Sequence, residues 1–240
     1  MKFIIKSLLA RTGYRMMRQT DMNRFQAIDE CMGGLAERAY RPRVIIDGGA
    51  HLGQFAVLAR KSFPGADAVH LFEPQEACLQ QLRKLCAREG FILHECALSS
   101  QSGTLRFVNT DRPSTGAYVV QDDAPANEVV ARTLDEVLDG MLEPGHRALL
   151  KLDLQGHELD ALRGGEKALQ SIEVVLTEVS LYSQSGPPVA TEVIAFMTGI
   201  GFVLYDIASL SGRPRDNRLR EADLVFVRQN SQLLADCQWD

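Results

Sequence analysis

The chain has 240 residues, of which 45% are hydrophobic and 24% are charged, and its formal net charge is −5. This size and composition suit a soluble α/β domain with one sizeable core. The mildly acidic balance argues against general nucleic-acid binding, which needs a concentrated cationic surface. The five cysteines form neither a CxxC pair nor a zinc-finger pattern, so we expect buried free thiols in a reducing compartment.

The first forty residues predict a helical extension, because they carry no strand signal. Lys6 interrupts the initial apolar run, which is too short for a signal-peptide core, and nothing approaches the ~18 apolar residues of a membrane span. We therefore expect a cytoplasmic protein. The first twenty residues carry five basic residues and no acid. They suit either a helix docked on the domain with a solvated basic side or a surface helix that meets an anionic membrane or substrate.

Beyond Arg41-Pro42-Arg43, short apolar stretches alternate with helical periodicity. Strands are predicted at residues 44–46, 68–72, 91–95, 148–152 and 174–177, and helices at about 52–62, 75–88, 157–169 and 187–198. A closing strand pair is predicted at 202–205 and 224–227, and an extra strand at 104–108. Turn-forming residues and weak periodicity predict a loop-rich insertion at 109–131, which we interpret as a lid.

This alternation predicts a doubly wound, mostly parallel α/β sheet of seven strands with helices on both faces. We find no internal repeat or clear linker, so residues 41–240 are expected to form one domain after the extension of residues 1–40. Such sheets bind ligands beyond the carboxyl ends of their strands, where the strand order reverses. Functional residues are therefore sought just after each strand.

The first strand runs into a glycine-rich turn. Gly48 and Gly49 allow a tight turn and a close approach of the backbone to a ligand, because they lack a Cβ. Gly53 falls in the first helical turn, where a side chain would obstruct packing. Ala50 and His51 complete the turn, and the ring of His51 would shield the site.

Two classes of cofactor suit such a turn. Dinucleotide-binding proteins place a pyrophosphate on GxGxxG, whereas the pattern here is GxAxxG with Asp47 directly before it. A carboxylate facing the site would repel a pyrophosphate, but it suits the cationic amino-acid end of S-adenosylmethionine. Glu73 ends the second strand before Pro74, where a carboxylate accepts the ribose hydroxyls of either cofactor. Asp47 thus decides for S-adenosylmethionine and against NAD.

A second constellation, Asp153, His157 and Glu158, follows the strand predicted at 148–152. Its segment Lys-Leu-Asp-Leu-Gln-Gly-His-Glu, residues 151–158, resembles the signature Lys-Ile-Asp-Val-Glu-Gly-His-Glu of the FkbM family of methyltransferases, with Gln155 in place of the usual Glu. The resemblance spans roughly residues 43–228. It extends to Arg132-Thr133-Leu134-Asp135, Ala97-Leu98-Ser99 with Gly103, Thr177-Glu178-Val179, and Gly201-Phe202 with Asp223-Leu224-Val225-Phe226-Val227.

This resemblance implies a Rossmann-like class I methyltransferase fold and methyl transfer from S-adenosylmethionine to a hydroxyl of a small molecule or glycan. It adds Ala97, Leu98 and Asp153 to the residues expected at the cofactor. The predicted cofactor-binding set is Asp47, Gly48, Gly49, Ala50, His51, Gly53, Glu73, Pro74, Ala97, Leu98 and Asp153.

The predicted catalytic residues are His157, Asp153 and Glu178. A hydroxyl is a weak nucleophile and benefits from a general base, for which His157 is the first candidate because its unperturbed pKa is about 6.5. Asp153 would orient His157 or the acceptor. Alternatively, Asp153, Glu158 and Glu178 would hold a divalent cation, an interpretation that we do not favour. His157 and Glu158 also suit a helix cap, and Glu178 a structural partner of buried backbone groups.

Other functions are weaker alternatives. Asp47 argues against an NAD-dependent oxidoreductase, whereas Gln155 keeps open a domain that binds the cofactor without turnover. Phe107, Tyr118 and Tyr182 suit either an acceptor pocket or ordinary packing. We expect a small-molecule or glycan acceptor and no nucleic-acid partner, with a homodimer as one option for the assembly.

Overall fold

The computed structural model describes residues 24–108, 113–114, 116, 118–119, 126–143, 145–182, 189–213 and 215–236. The basic stretch within the first twenty residues and most of the predicted lid at 109–131 lie outside the described residues. No helix in these ranges has both the length and the apolar character needed to cross a membrane.

Eleven strands and six α-helices are found in the described ranges. The strands are β1 (Val44–Gly48), β2 (Ala68–Phe72), β3 (Ile92–His94), β4 (Ala97–Leu98), β5 (Gly103–Val108), β6 (Tyr118–Val119), β7 (Asn127–Arg132), β8 (Ala148–Leu152), β9 (Ile172–Ser180), β10 (Phe202–Gly212) and β11 (Leu219–Arg228). The helices are α1 (Arg24–Glu37), α2 (Gln54–Ser62), α3 (Glu76–Glu89), α4 (Leu134–Val137), α5 (Glu158–Arg163) and α6 (Ala190–Gly199). Short 3₁₀ helices cover Ala168–Ser171 and Gln232–Leu234.

Seven strands form the main sheet in the order β10-β11-β9-β8-β1-β2-β3. Strand β1 pairs in parallel with β2 on one side and with β8 on the other, and β11 runs antiparallel to both β9 and β10. This confirms the predicted doubly wound, mostly parallel sheet of seven strands. The strand order reverses at β1 and β8, which makes their carboxyl ends the expected place for a ligand.

The core lies on both faces of this sheet, because alternate residues of a strand point to opposite sides. Ile45 of β1 packs with residues of α1, α2 and α3, whereas its neighbour Ile46 packs with residues of α4, α5 and α6. Both side chains are fully buried. The apolar face of α1 (Ile28, Met32 and Leu35) belongs to the same core as β1, so the described part of the predicted extension folds onto the domain.

The insertion at 109–131 was predicted to be loop-rich, and this was wrong for residues 127–131. Strand β7 begins at Asn127 and pairs with β5, from Gly103 opposite Ala131 to Phe107 opposite Asn127. Together β4, β7, β5 and β6 form a second sheet of four strands. The sequence of β7 lacks a clear apolar alternation, and its Val130 is exposed. Hydrogen-bonded pairing with β5, rather than a local sequence pattern, holds the strand in place.

Two further boundaries differ from the prediction. The helix predicted at 157–169 ends at Arg163, because Gly164 lies against the chain after β4, where a Cβ would be 2.1 Å from the carbonyl oxygen of Ser99. The closing strands β10 and β11 extend well beyond the predicted 202–205 and 224–227, and their hairpin rises above the carboxyl edge of the sheet.

Candidate functional site

The glycine-rich turn after β1 has the tight geometry that its sequence predicts. Gly49 and Gly53 have φ angles of +73° and +82°, a region that side chains disfavour. A Cβ on Gly49 would lie 1.9 Å from the carbonyl oxygen of Asp153, and one on Gly53 would lie 2.2 Å from Leu85 of α3. Gly49 therefore lets the turn touch the segment after β8, and Gly53 lets α2 pack on α3.

The backbone N–H groups of this turn are already bound by the protein. Gly49 and Ala50 both donate to the carbonyl of Phe72 at 3.0 Å, and His51 donates to Oε2 of Glu73 at 2.7 Å. A dinucleotide fold needs such groups free for a pyrophosphate. This turn instead uses them to fix the end of β2 and the carboxylate that follows it.

Glu73 is held firmly in the wall of the site. Its second oxygen accepts the backbone N–H of Gln75 at 2.9 Å, and the residue is 2% exposed. Burial raises the pKa of Glu73, although the N–H donors of Gln75 and His51 oppose the rise. An ionised carboxylate has about four acceptor positions, so two are left for the hydroxyls of a ligand.

A cleft lies above the ends of β2, β1 and β8. It encloses about 600 Å³ of space, part of it open to solvent, which falls within the usual range for small-molecule sites. Eight predicted site residues line it: Gly49, His51, Glu73, Pro74, Ala97, Leu98, Asp153 and His157. The remaining predicted residues, Asp47, Gly48, Ala50, Gly53 and Glu178, do not line it.

Several lining residues were not singled out from the sequence. Gln75 follows Glu73, and its side chain accepts the N–H of Ser114, which ties a described part of the insertion to the cleft. Other lining residues are Phe72, Cys96, Val119 and Leu154. Val119 lies on the second sheet, which the strand pattern did not reveal. Of the residues named from the sequence outside the predicted site, Phe107 and Gln155 line the cleft, whereas Tyr118 and Tyr182 do not.

Asp47 lies beneath the turn rather than in the cleft. It is fully buried, and its Oδ1 accepts a hydrogen bond from the ammonium of Lys151 at 3.0 Å. Lys151 also donates to the carbonyls of Gly48 at 3.2 Å and Gly49 at 2.8 Å. Burial alone would lower the pKa of Lys151, but Asp47 and Asp153 raise it above its ordinary value. The Lys151–Asp47 ion pair thus stabilises the glycine-rich turn on its buried side.

The sequence itself indicates that Lys151 needs a buried partner. It is the one charged residue in the apolar strand Ala148–Leu152, and the parallel register places it directly beside Asp47. A lone charge in a strand buried on both faces requires a partner.

Asp153, at the end of β8, belongs to a cluster of polar side chains at the edge of the cleft. Its Oδ2 accepts a hydrogen bond from Arg24 of α1 at 2.9 Å, and its Oδ1 accepts one from Gln155 at 2.9 Å. Burial would raise the pKa of Asp153, but Lys151 and Arg24 lower it below its ordinary value. Asp153 is therefore a carboxylate near neutral pH.

Arg24 also joins two other acids to this cluster. It donates two hydrogen bonds to the carboxylate of Asp223 of β11, at 2.7 and 2.6 Å, and forms an ion pair with Glu178 of β9 at 3.2 Å. Burial and the nearby Asp153 raise the pKa of Glu178 well above its usual range. Arg24 was not predicted, because it lies on a helix far away in sequence.

His157 precedes α5 and forms part of the cleft wall. Its Nε2 lies 3.0 Å from Oγ of Ser99, and its Nδ1 lies 3.5 Å from Oδ2 of Asp160. Burial lowers the pKa of His157, although Asp160 opposes the shift. The imidazole is therefore neutral near pH 7 and able to accept a proton.

Glu158 does not face the cleft. Its carboxylate turns back to accept the backbone N–H of Leu154 at 2.6 Å and that of Gly156 at 3.0 Å. Burial raises its pKa to about 7. Glu158 therefore has a structural role, but it binds the loop between β8 and α5 instead of capping the helix as the sequence suggested, and His157 makes no side-chain cap either. Across the described ranges, no group of three or more His, Cys, Asp or Glu side chains is arranged to hold a metal ion.

Known proteins resemble this chain in sequence and in fold. The family model of the methyltransferase FkbM domain matches residues 47–204. The hexuronic acid methyltransferase AglP of Haloferax volcanii is 28% identical over 149 residues, which are 60% of this chain and 59% of that protein. The crystal structure of methyltransferase FkbM from Methylobacillus flagellatus has a TM-score of 0.52 at 17% identity and covers 78% of this chain and 43% of that one. This chain thus spans less than two thirds of either relative.

The family match covers more than half of the chain. It begins at Asp47 and includes the glycine-rich turn, Glu73 and the loop after β8, which the fold brings together around one cleft. This chain belongs to the FkbM methyltransferase family.

Proposed function

We propose that this protein transfers a methyl group from S-adenosylmethionine to a hydroxyl of a small molecule or sugar. One observation carries the proposal: a single cleft spans the ends of β2, β1 and β8, with the carboxylate of Glu73 on one flank and that of Asp153 on the other. A ligand that fits has hydroxyls for Glu73 and positive charge for Asp153. S-adenosylmethionine has both.

The same walls disfavour NAD. Its pyrophosphate would face two carboxylates, and the N–H groups of Gly49, Ala50 and His51 are already donated to the end of β2. Nε2 of His51 is buried in the cleft wall without a hydrogen-bond partner in the described part of the chain, which fits a ligand with polar groups at this point.

S-adenosylmethionine supplies a methyl group on a positively charged sulfur, which leaves as a neutral thioether. The residues of this chain would bind and orient it. Glu73 would accept the ribose hydroxyls, the turn at Gly49 would let the ligand approach the backbone, and Asp153 would favour the charged end. The apolar side chains of Phe72 and Leu98 would exclude water from the rest of the cleft.

His157 is the proposed general base. It lies in the cleft wall, its imidazole is neutral near pH 7, and contacts with Ser99 and Asp160 fix the ring. It would accept, at Nε2 and in place of the contact with Ser99, the proton that the acceptor hydroxyl releases as the oxygen takes the methyl group. Asp153 would be held in this position by Arg24 and Gln155, and Glu178, which does not line the cleft, would act only through the same two side chains.

A sugar acceptor is proposed because the curated relative AglP is a hexuronic acid methyltransferase. A hydroxyl is the group on a sugar that needs a base such as His157. The relative's own substrate is not assigned to this chain.

Calorimetric titration with S-adenosylmethionine, with NAD as the control ligand, tests the cofactor. We expect binding of S-adenosylmethionine alone, and a loss of about tenfold or more in affinity for Glu73→Gln, because the neutral amide is a poorer acceptor for two hydroxyls. Glu76→Gln, one turn away on the exposed side of α3, is the matched control and should bind like the wild type. Binding of NAD instead of S-adenosylmethionine would refute the proposal.

A further inference from the structure

Four side chains at the edge of the cleft form a closed ring of three hydrogen bonds and one ion pair. Arg24 donates to Asp153 at 2.9 Å and pairs with Glu178 at 3.2 Å. On the other side, the amide nitrogen of Gln155 donates to Asp153 at 2.9 Å and to Glu178 at 3.1 Å. Each carboxylate thus meets one donor from Arg24 and one from Gln155, through different oxygens.

The ring separates two cavities. Asp153 and Gln155 line the large cleft, whereas Gln155 and Glu178 line a smaller cavity of about 380 Å³ that also includes Ser180 and Arg220. Gln155 faces both spaces. Any change in its hydrogen bonding therefore reaches the wall of the cofactor cleft through Asp153.

Gln155 occupies this place with an unusual backbone. Its φ angle is +54°, which directs the side chain back across Asp153 and toward Glu178. Both amide hydrogens are used, one on each carboxylate. A glutamate side chain at this position, as in the family signature, would place a third carboxylate against the other two, and like charges at such distances repel strongly.

We propose that Gln155 and Arg24 are positioning residues: their N–H groups fix the carboxylate of Asp153 toward the cofactor, and the neutral amide of Gln155 does so without adding a further negative charge to the ring. The inference rests on the proposed function, since it assumes that Asp153 faces the charged end of S-adenosylmethionine. The other charged or titratable groups around the ring are Asp47 from β1, His51 from the turn after β1, Lys151 from β8, Glu158 from α5, and Arg220, Glu221 and Asp223 from β11.

The first test compares Gln155→Ala and Gln155→Glu with the control Gln26→Glu. Gln26 is exposed on α1 and donates to its neighbour Glu30, so Gln26→Glu makes the same change of charge as Gln155→Glu but outside the ring. Titration with S-adenosylmethionine at about pH 8 should give a dissociation constant about tenfold larger for both Gln155 variants. The control should stay within about twofold of the wild type, and all variants should keep the wild-type circular dichroism.

The same titration at about pH 5.5 separates positioning from a merely structural role. The carboxyl introduced by Gln155→Glu should take up a proton there, because Asp153 and Glu178 face it, and the resulting O–H restores one donor. Its affinity relative to the wild type should recover to within about threefold. Gln155→Ala has nothing to protonate, so its loss should persist. A loss in Gln155→Glu that also persists at the lower pH would overturn the inference.

Arg24→Lys tests the other half of the ring. Lysine keeps the charge, but its single ammonium cannot reach Asp153, Glu178 and Asp223 together as the guanidinium does. We expect a dissociation constant about tenfold larger than that of the wild type. Arg38→Lys, at the exposed residue directly after α1, is the control and should be unaffected.

The outcomes distinguish this inference from the proposed function. If the wild type binds S-adenosylmethionine and the Gln155 and Arg24 variants bind within about twofold of it, the positioning role is wrong and the cofactor assignment stands. If the wild type does not bind S-adenosylmethionine, the proposed function fails and this inference fails with it.

Discussion

Lys151 and Asp47 show how a polar contact inside the sheet supports a site that neither residue lines. The ammonium of Lys151 joins the carboxylate of Asp47 and the carbonyls of Gly48 and Gly49, so one side chain closes the underside of the turn. A buried charge without its partner is costly, whereas removing both charges together is much less so. We therefore expect the Lys151–Asp47 pair to contribute mainly to the free energy of unfolding. Its effect on ligand binding should be indirect, through the conformation of the glycine-rich turn.

Lys151→Met is expected to reduce the free energy of unfolding by about 3 to 5 kcal/mol, because it leaves the buried carboxylate of Asp47 uncompensated. Urea denaturation measures this directly. The double variant Asp47→Asn with Lys151→Met should recover part of the loss, and Lys61→Met on the exposed side of α2 should change stability by less than about 0.5 kcal/mol. A single variant as stable as the wild type would show that the pair does not support the turn.

His157→Ala is expected to lower the turnover number by about 10²–10⁴ with little change in the affinity for S-adenosylmethionine, since a general base acts on the acceptor proton. The measurement is methyl transfer to an acceptor identified by screening, together with titration of the cofactor. His146→Ala, remote from the cleft, is the control. Since burial lowers the pKa of His157, the acidic limb of the wild-type pH–rate profile should lie below about pH 6.5. Unchanged turnover would remove His157 as the base.

Residues that follow buried strands could be predicted from the sequence, because parallel strands bring their carboxyl ends to one edge. Glu73, Asp153 and His157 were placed at the cleft in this way. Arg24 could not be predicted, since its partners Asp153 and Asp223 lie far along the chain and no local pattern links them. The direction of the Asp47 side chain also depends on Lys151, one strand away.

At the scale of elements, the buried strands were the easiest to predict and β7 the hardest. Strand β8 is apolar except for Lys151 and is buried along its whole length, so its sequence alone distinguishes it. Strand β7 has exposed residues, including Val130, and owes its conformation to pairing with β5. A strand can be predicted from its own residues only where burial imposes a recognisable apolar pattern on them.

The contact between the glycine-rich turn and the segment after β8 depends on a missing side chain. Gly49→Ala would place a Cβ 1.9 Å from the carbonyl oxygen of Asp153 and would keep a φ of +73°. We expect a loss of more than about 2 kcal/mol in the free energy of unfolding and weakened cofactor binding, since β1 and β8 must separate. Urea denaturation and calorimetry check both effects.

Gly65→Ala is the matched control for this change. No heavy atom lies within 4 Å of its added Cβ, and its φ is not positive. It should leave stability within about 0.5 kcal/mol of the wild type. Equal stability of the two variants would show that the turn tolerates a side chain at Gly49.

At the scale of the whole molecule, a pair of histidines limits stability in acid. Nδ1 of His70 on β2 lies 3.0 Å from Nε2 of His94 on β3, and His70 is 2% exposed. Burial, and then the charge of His94, lower the pKa of His70 to about 4, and burial also lowers the pKa of His94. In the unfolded chain both rings take up protons near pH 6.5.

The free energy of unfolding should therefore fall as the pH drops from about 6.5 to 4, because the two histidines bind protons in the unfolded state but not in the folded state. We expect His70 to contribute about 2 kcal/mol of this loss. Urea titrations at a series of pH values should show a flatter dependence for His70→Phe than for the wild type and the control His146→Phe. A dependence equally steep in all three proteins would assign the acid sensitivity elsewhere.

The second sheet forms part of the wall of the cleft. Strand β4 contributes Ala97 and Leu98 to the cleft and at the same time pairs with Ala131 and Arg132 of β7. A chimera that exchanged the insertion for that of a relative would therefore replace the strand that supports one side of the cleft. In such chimeras we expect the affinity for the cofactor to change together with the set of acceptors that are methylated. Acceptor specificity could then not be exchanged without altering the cofactor site.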